Sequence, residues 1–348
     1  MVLHAPGASQ PKAFRQRHRH AWGLLAGTLL LFLIALASLA IGSRPIPLAT
    51  TLEALQHADP HNDQHLIVRQ LRIPRTLVAL LAGLALGAAG AIMQAVTRNP
   101  LAEPGLLGIN AGAALAVIIG VALFDLTSMP QYIWFAFLGA GLAGIAVFML
   151  GQAHETGTNP VRLVLAGAGL SVMLASLTGI IVLNAPPEVF DKFRHWAAGS
   201  LSGSGFALLG GLGLATACGL GMAFAIVSNL NALALGKELG QALGVDMRLT
   251  WLQACVAVML LAGAATAAAG PIGFVGLVAP HIARLLVGPD YRWILPYSAL
   301  VAAALLLGAD VLGRVIAAPA EIAAGIIALL LGGPCFIVLA RRFRPSRL

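Results

Sequence analysis

The chain has 348 residues, of which 59% are hydrophobic and only 10% charged, with a mean hydropathy of +0.90 and a formal net charge of +8. This is too apolar for a water-soluble domain, and apolar segments of helical length exclude a strand barrel. The basic balance does not indicate nucleic acid, because the cations are spread over loops and tails with no soluble domain to carry a groove.

A helix rises about 1.5 Å per residue, so about 20 apolar residues cross about 30 Å of hydrocarbon. Ten membrane segments are predicted, at 21–42, 74–96, 105–124, 131–151, 161–184, 205–228, 249–270, 275–287, 293–315 and 322–340. The domain reading is a basic tail over 1–20, a ten-helix membrane unit over 21–342 that includes a polar segment at 229–246, and a basic tail over 343–348. The first apolar run ends at Ile41-Gly42-Ser43-Arg44 without a small-residue cleavage site, so it is read as a retained helix. The eighth segment is too short to span alone and follows Gly270-Pro271-Ile272-Gly273. Such a break is tolerated at membrane depth only where protein or a water-filled cavity covers the freed backbone groups, which hints at transport.

An even number of crossings puts both termini on one side, and the basic tails with Arg98, Arg162, Arg248, Arg284 and Arg292 identify that side as cytoplasmic. Arg44, Arg69, Arg72, Arg75, Lys192, Arg194 and Arg314 then cluster at helix mouths on the outer side and require another reason. Trp22, Trp134, Trp196, Trp251 and Trp293 all fall near predicted helix ends, where interfacial anchors belong. Gly83-x-x-x-Gly87 suits close helix packing.

No phosphate-binding loop exists, since Leu235-Gly236-Lys237-Glu238 lacks both the upstream glycine and the hydroxyl for magnesium. His154-Glu155 has no second histidine at helical spacing, so no zinc-protease centre is expected. Cys218, Cys255 and Cys335 lie in separate apolar segments and suggest packing, neither disulfide nor zinc. His57, Asp59, His61, Asp63 and His65 alternate in the loop after the first helix, where they read either as metal ligands or as a solvated polar loop. The solvated loop is the expectation, with no metal. Asp310 and Arg314 are four apart, a spacing that lets them pair on one helical face. Few other ionisable residues lie in the spans, which leaves an ion-coupled secondary carrier as the weaker functional alternative. Leu235-Gly236, Leu239-Gly240 and Leu243-Gly244 repeat every four residues, predicting a leucine row beside a glycine row on one helical surface. That surface reads either as a partner dock or as a helix lying on its own bundle.

Leu71-Arg72-Ile73-Pro74-Arg75-Thr76, Gln94–Gly108 with its Asn99-Pro100-Leu101-Ala102-Glu103-Pro104 core, Gly270-Pro271-Ile272-Gly273-Phe274-Val275-Gly276-Leu277, Pro280-His281-Ile282-Ala283-Arg284 and Ala309-Asp310-Val311-Leu312-Gly313-Arg314 follow one another in order. Together they resemble the FecCD-type permeases of ABC importers for ferric siderophores, haem and vitamin B12, over roughly residues 21–342. The resemblance implies an all-α polytopic protein with about ten transmembrane helices in the type II (BtuC-like) importer permease fold. It implies a second permease chain, either a related paralogue or a second copy, two copies of a cytoplasmic ATPase, a periplasmic binding protein, and surrounding membrane lipid. No cofactor is expected on this chain; ATP and Mg belong to the ATPase.

By the same resemblance, Arg72, Arg75 and Arg314 dock the binding protein, and Asn99 and Leu101 form the cytoplasmic gate. Leu235, Gly236, Glu238, Leu239, Gly240, Leu243 and Gly244 couple to the ATPase. Asn159-Pro160-Val161-Arg162-Leu163, Phe193–Leu201 and Val287–Trp293 look closest to the ferric enterobactin branch of the family, which implies a ferric catecholate cargo. Glu321-Ile322-Ala323-Ala324-Gly325 lacks the proline many members carry after the glutamate, and Cys335 stands where an apolar residue is common. Haem, cobalamin and a non-catecholate siderophore remain alternative cargoes.

Overall fold

A computed structural model describes residues 10–126, 128–152 and 160–342. The predicted tail at 343–348, residues 1–9 of the tail at 1–20, and His154-Glu155 lie outside the described residues. Fifteen α-helices and no strand occur among them. They are α1 (Gln10–Ala40), α2 (Leu48–Gln56), α3 (Asp63–Leu66), α4 (Ile73–Thr97), α5 (Ile109–Phe124), α6 (Met129–Gln152), α7 (Pro160–Asn184), α8 (Pro187–Ala197), α9 (Ala207–Ala225), α10 (Val227–Ala234), α11 (Lys237–Ala242), α12 (Met247–Ala269), α13 (Val275–Val287), α14 (Tyr291–Ile316) and α15 (Ala324–Arg342). Among the described residues seven helices are long and apolar enough to cross a membrane, and α5, α13 and α15 add three shorter apolar ones. These correspond one to one with the ten predicted segments. The first helix begins at Gln10, well before the predicted start, because its polar residues continue the same helix out of the apolar zone.

Helix α4 is the axis of the molecule, packed against α9, α12, α13 and α14 and buried along most of its length. Small residues permit this: a side chain added at Gly87 would collide with the Ser298 carbonyl of α14, and one at Gly90 with the Gly276 carbonyl of α13. Gly83 approaches Ala303 in the same way, so the Gly83-x-x-x-Gly87 pattern lies in a helix contact. Helices α4 and α14 are antiparallel, with Arg75 beside Asp310 and Gly87 beside Ser298. Helix α1 runs parallel to α14, joined by the Tyr297 hydroxyl donating to the His20 carbonyl at one end and Arg314 reaching Ser38 at the other. The bundle thus has an arginine end, where α1 and α14 finish, and a terminal end, where α1 starts and α15 finishes.

The break after α12 is as the sequence indicates. Gly270 sits at φ +73°, the segment doubles back, and Phe274 opens α13 at φ +65°. The five tryptophans divide. Trp22 and Trp134 are exposed as anchors should be, whereas Trp196 and Trp251 are almost fully buried in the core. Trp196 donates its indole N–H to the Ala267 carbonyl at 3.4 Å, and Trp251 packs against Phe148. Proximity to a helix end in sequence does not distinguish a lipid-facing ring from one facing a neighbouring helix.

Candidate functional site: an arginine cleft

At the arginine end, a cleft of about 310 Å³ is lined by residues of the α1–α2 connection, the α4 entry, Ser202-Gly203-Ser204, Arg314 and Glu321. Its geometry begins with a π-helical turn, Ile67–Arg72, directly before α4. The turn aims Arg69 at the Ala54 and Leu55 carbonyls and Arg72 at the end of α1. Arg72 Nη1 donates to the carbonyls of Leu39 and Ala40, each at 2.7 Å, and Nη2 donates to the Arg44 carbonyl. Arg314 donates to the Ser38 carbonyl at 3.0 Å, the Ile41 carbonyl at 3.2 Å and Ser38 Oγ at 2.6 Å. The last four carbonyls of a helix have no partner of their own, and α1 has no basic residue in its final turn. Two buried guanidiniums from other elements fill that deficit and place positive charge at the negative end of the helix dipole.

Arg75 stands between them. Its Nε and Nη2 donate to Asp310 Oδ1 at 3.0 and 2.7 Å, and its Nη1 donates to Glu321 Oε2 at 2.6 Å. Asp310 Oδ2 is 3.1 Å from Arg314 Nη2, so the four-residue spacing does produce the pair on α14. Asp310 is fully buried, whereas the Glu321 side chain is 27% exposed and also accepts from Ser43 Oγ at 3.0 Å. Burial alone would raise the Glu321 carboxyl, but hydrogen bonds from Arg75 and Ser43 and the charges of Arg75 and Arg314 outweigh it and hold it below the ordinary carboxylate range. A carboxyl with a lowered folded value contributes its stability above the unfolded value, about 4.3, and loses it only as pH falls through the folded one. The Arg75–Glu321 pair is therefore intact at any near-neutral pH.

The structure thus brings Arg72, Arg75 and Arg314 together, but as internally bonded groups, Arg72 and Arg314 buried and Arg75 partly so. The exposed cation of the cleft is Arg44, whose side chain makes no ion pair among the described residues. Arg44 and Glu321 both belong to the site, although neither was assigned to it from sequence. Arg44 was visible as one of the outer cations, but Glu321 carried no signal that it would meet an arginine 246 positions away.

The other predicted residues lie at the opposite end. Asn99 is exposed and closes the turn after α4, its Oδ1 accepting from the Leu101 N–H at 2.9 Å. The leucine–glycine repeat is not one helical surface. Gly236, at φ +108°, ends α10 and starts α11, and Gly244, at φ +79°, ends the segment. Leu235, Leu239 and Leu243 are nonetheless each more than half exposed, while Gly240 packs under Met247. Glu238 lies in the first turn of α11. In the histidine loop, His65 is buried with Nδ1 accepting from the Asp59 N–H, and His61 is exposed. No group of three metal-ligand side chains forms among the described residues.

Residues 29–342 match the model of the FecCD transport family. The ferric enterobactin transport system permease protein FepD of Escherichia coli K12 is 45% identical over 91% of this chain and 94% of its own length. The iron(3+)-hydroxamate import system permease protein FhuB of Bacillus subtilis is 41% identical over 92% of this chain and 83% of its own. Among solved structures, an inward-facing metal-chelate type ABC transporter aligns at a TM-score of 0.79 and 28% identity, covering 93% of this chain and all of that one. A ten-segment helical bundle with a discontinuous helix, matched to one family over nearly its whole length, leaves one assignment: the chain belongs to the FecCD transport family.

Proposed function

We propose that this chain is the permease subunit of an ATP-binding-cassette importer that passes an intact ferric siderophore, a ferric catecholate such as ferric enterobactin, from a periplasmic binding protein to the cytoplasm. The observation that carries the cargo is the 45% identity to FepD across almost the entire length of both chains. No covalent chemistry is assigned to the chain; ATP and Mg act on a separate ATPase, present in two copies. The exposed leucines at 235, 239 and 243 form the apolar face for that ATPase, flanked by the polar Glu238, and the Asn99–Leu101 turn is the gate beside it. A second permease chain completes the pathway. The arginine cleft faces the periplasm and receives acidic side chains of the binding protein, with Arg44 and the outer edge of Arg75 nearest the surface and Arg72 and Arg314 adding charge from beneath. Arginine suits this role because its planar fork pairs with carboxylates and its charge does not titrate away.

The test is radiolabelled uptake in cells lacking this chain, complemented by the wild type, with ferric enterobactin, ferric citrate, haem and cobalamin compared side by side. Selective loss and recovery of ferric enterobactin uptake is expected. Loss of a different cargo overturns the catecholate assignment and keeps the permease.

A further inference from the structure

We infer that Glu321 is an internal stand-in for the partner's carboxylate: it occupies the outward edge of Arg75 in the undocked permease and is exchanged for an acidic side chain of the binding protein on docking. The inference rests on the docking reading above and adds to it how the site is kept when empty. Three observations carry it. Each nitrogen of Arg75 already donates to a carboxylate of the chain, with its inner edge on the fully buried Asp310 and its outer Nη1 on Glu321 at 2.6 Å. Of those two carboxylates only Glu321 lines the cleft and reaches solvent, so only it can leave without stranding a charge in the protein interior. The cleft also holds a polar group that awaits a partner: Ser204 is 4% exposed, and its Oγ has no hydrogen bond.

An incoming carboxylate finds Arg44 unpaired at the rim, Ser204 Oγ unsatisfied within, and one arginine edge held by a group of its own chemistry. Counting Arg44, four arginines face only two carboxylates, Asp310 and Glu321, so the cleft stays electropositive with Glu321 in place. The internal pair keeps Arg75 from being left bare between docking events, and it makes docking a replacement of like by like. Glu321 lies just before α15, so its release also frees one tether of that helix.

The experiment measures affinity of the binding protein of the same importer for the complete permease–ATPase complex in lipid nanodiscs, at low and high salt. Glu321→Gln keeps the shape but weakens the competitor, and is expected to tighten binding roughly tenfold, the scale of one charge-assisted hydrogen bond. Arg44→Glu is expected to weaken binding and flatten its salt dependence. If Arg44→Glu weakens binding while Glu321→Gln leaves it unchanged or weakens it, the exchange is wrong and the docking surface stands. If neither Arg44→Glu nor salt alters affinity, the docking reading itself falls. Should Glu321→Gln fail to assemble, Glu321→Asp, which keeps the charge but draws it back from Arg75, is read by the same criterion.

Discussion

Asp310 has no contact with solvent, and two arginines hold its carboxylate, Arg75 through Oδ1 and Arg314 through Oδ2. Removing it leaves two guanidiniums facing each other in a region of low dielectric, where breaking a buried pair costs about 3–5 kcal/mol. Asp310→Ala is therefore expected to lower the unfolding temperature of the detergent-solubilised protein sharply, and Asp310→Asn, which retains an acceptor for Arg75, to lower it less. An Asp310→Ala protein that unfolds at the wild-type temperature contradicts this assignment. The pair within α14 was legible from its spacing, because residues four apart share a helical face. What Arg72 and Arg314 do was not. Their acceptors are backbone carbonyls of α1 about 30 and 270 positions away, and a carbonyl leaves no mark in the sequence. The outer cations accordingly read as a docking surface only, when two of them also close the end of a helix.

At the scale of elements, the break before α13 depends on one acid in a distant loop. Phe274 opens the helix in a left-handed conformation unfavourable to a residue with a side chain, and its N–H donates to Glu103 Oε2 at 3.4 Å. Its ring packs edge-on against Phe336 of α15, so the α4–α5 loop, the discontinuous helix and the last helix meet at one residue. Glu103 lies between α4 and α5, and loss of hydration raises its carboxyl above the ordinary range, outweighing the opposing hydrogen bond from Phe274. A carboxyl with a raised folded value contributes most below its unfolded value and loses that contribution as pH rises through the folded one. Glu103→Gln, which accepts the same hydrogen bond without charge, is expected to match the wild type near pH 5 and to exceed it in thermal stability at pH 8. Glu103→Ala, leaving Phe274 N–H without an acceptor, is expected to lose about 1–3 kcal/mol. A Glu103→Gln protein that is no more stable than the wild type at pH 8 would refute the argument. The Gly-Pro-Ile-Gly run announced the break, since glycine and proline stop helices wherever they cluster. The leucine–glycine repeat misled for the same reason: its period suited a helix, but its glycines end helices at Gly236 and Gly244.

For the whole molecule, the chain is a multi-pass protein of the inner membrane, and its ten segments were legible because hydrocarbon thickness sets helix length directly. The same logic extends to orientation. Helices α1 and α14 run parallel, and α15 returns antiparallel to α14, with Gly313 against Ile322 and Phe336 against Phe274, so residues 20 and 341 lie at one end. Arg98, Arg162, Arg248, Arg284 and Arg292 lie at or near that same end, in loops and first or last helical turns. The arginine end also carries cations, but Arg44, Arg69, Arg72, Arg75, Lys192, Arg194 and Arg314 make up only seven of the 21 lysines and arginines. The larger number of basic residues in the tails and loops of the terminal end therefore favours it as cytoplasmic. Alkaline phosphatase fused after Arg341 is expected to be inactive and a fluorescent protein at the same point to be bright, while phosphatase fused at Asn184, where α7 ends beside the arginine end, is expected to be active. The reverse pattern would place the arginine cleft in the cytoplasm, where no periplasmic protein could reach Arg44 or displace Glu321, and would remove the docking surface together with the exchange built on it.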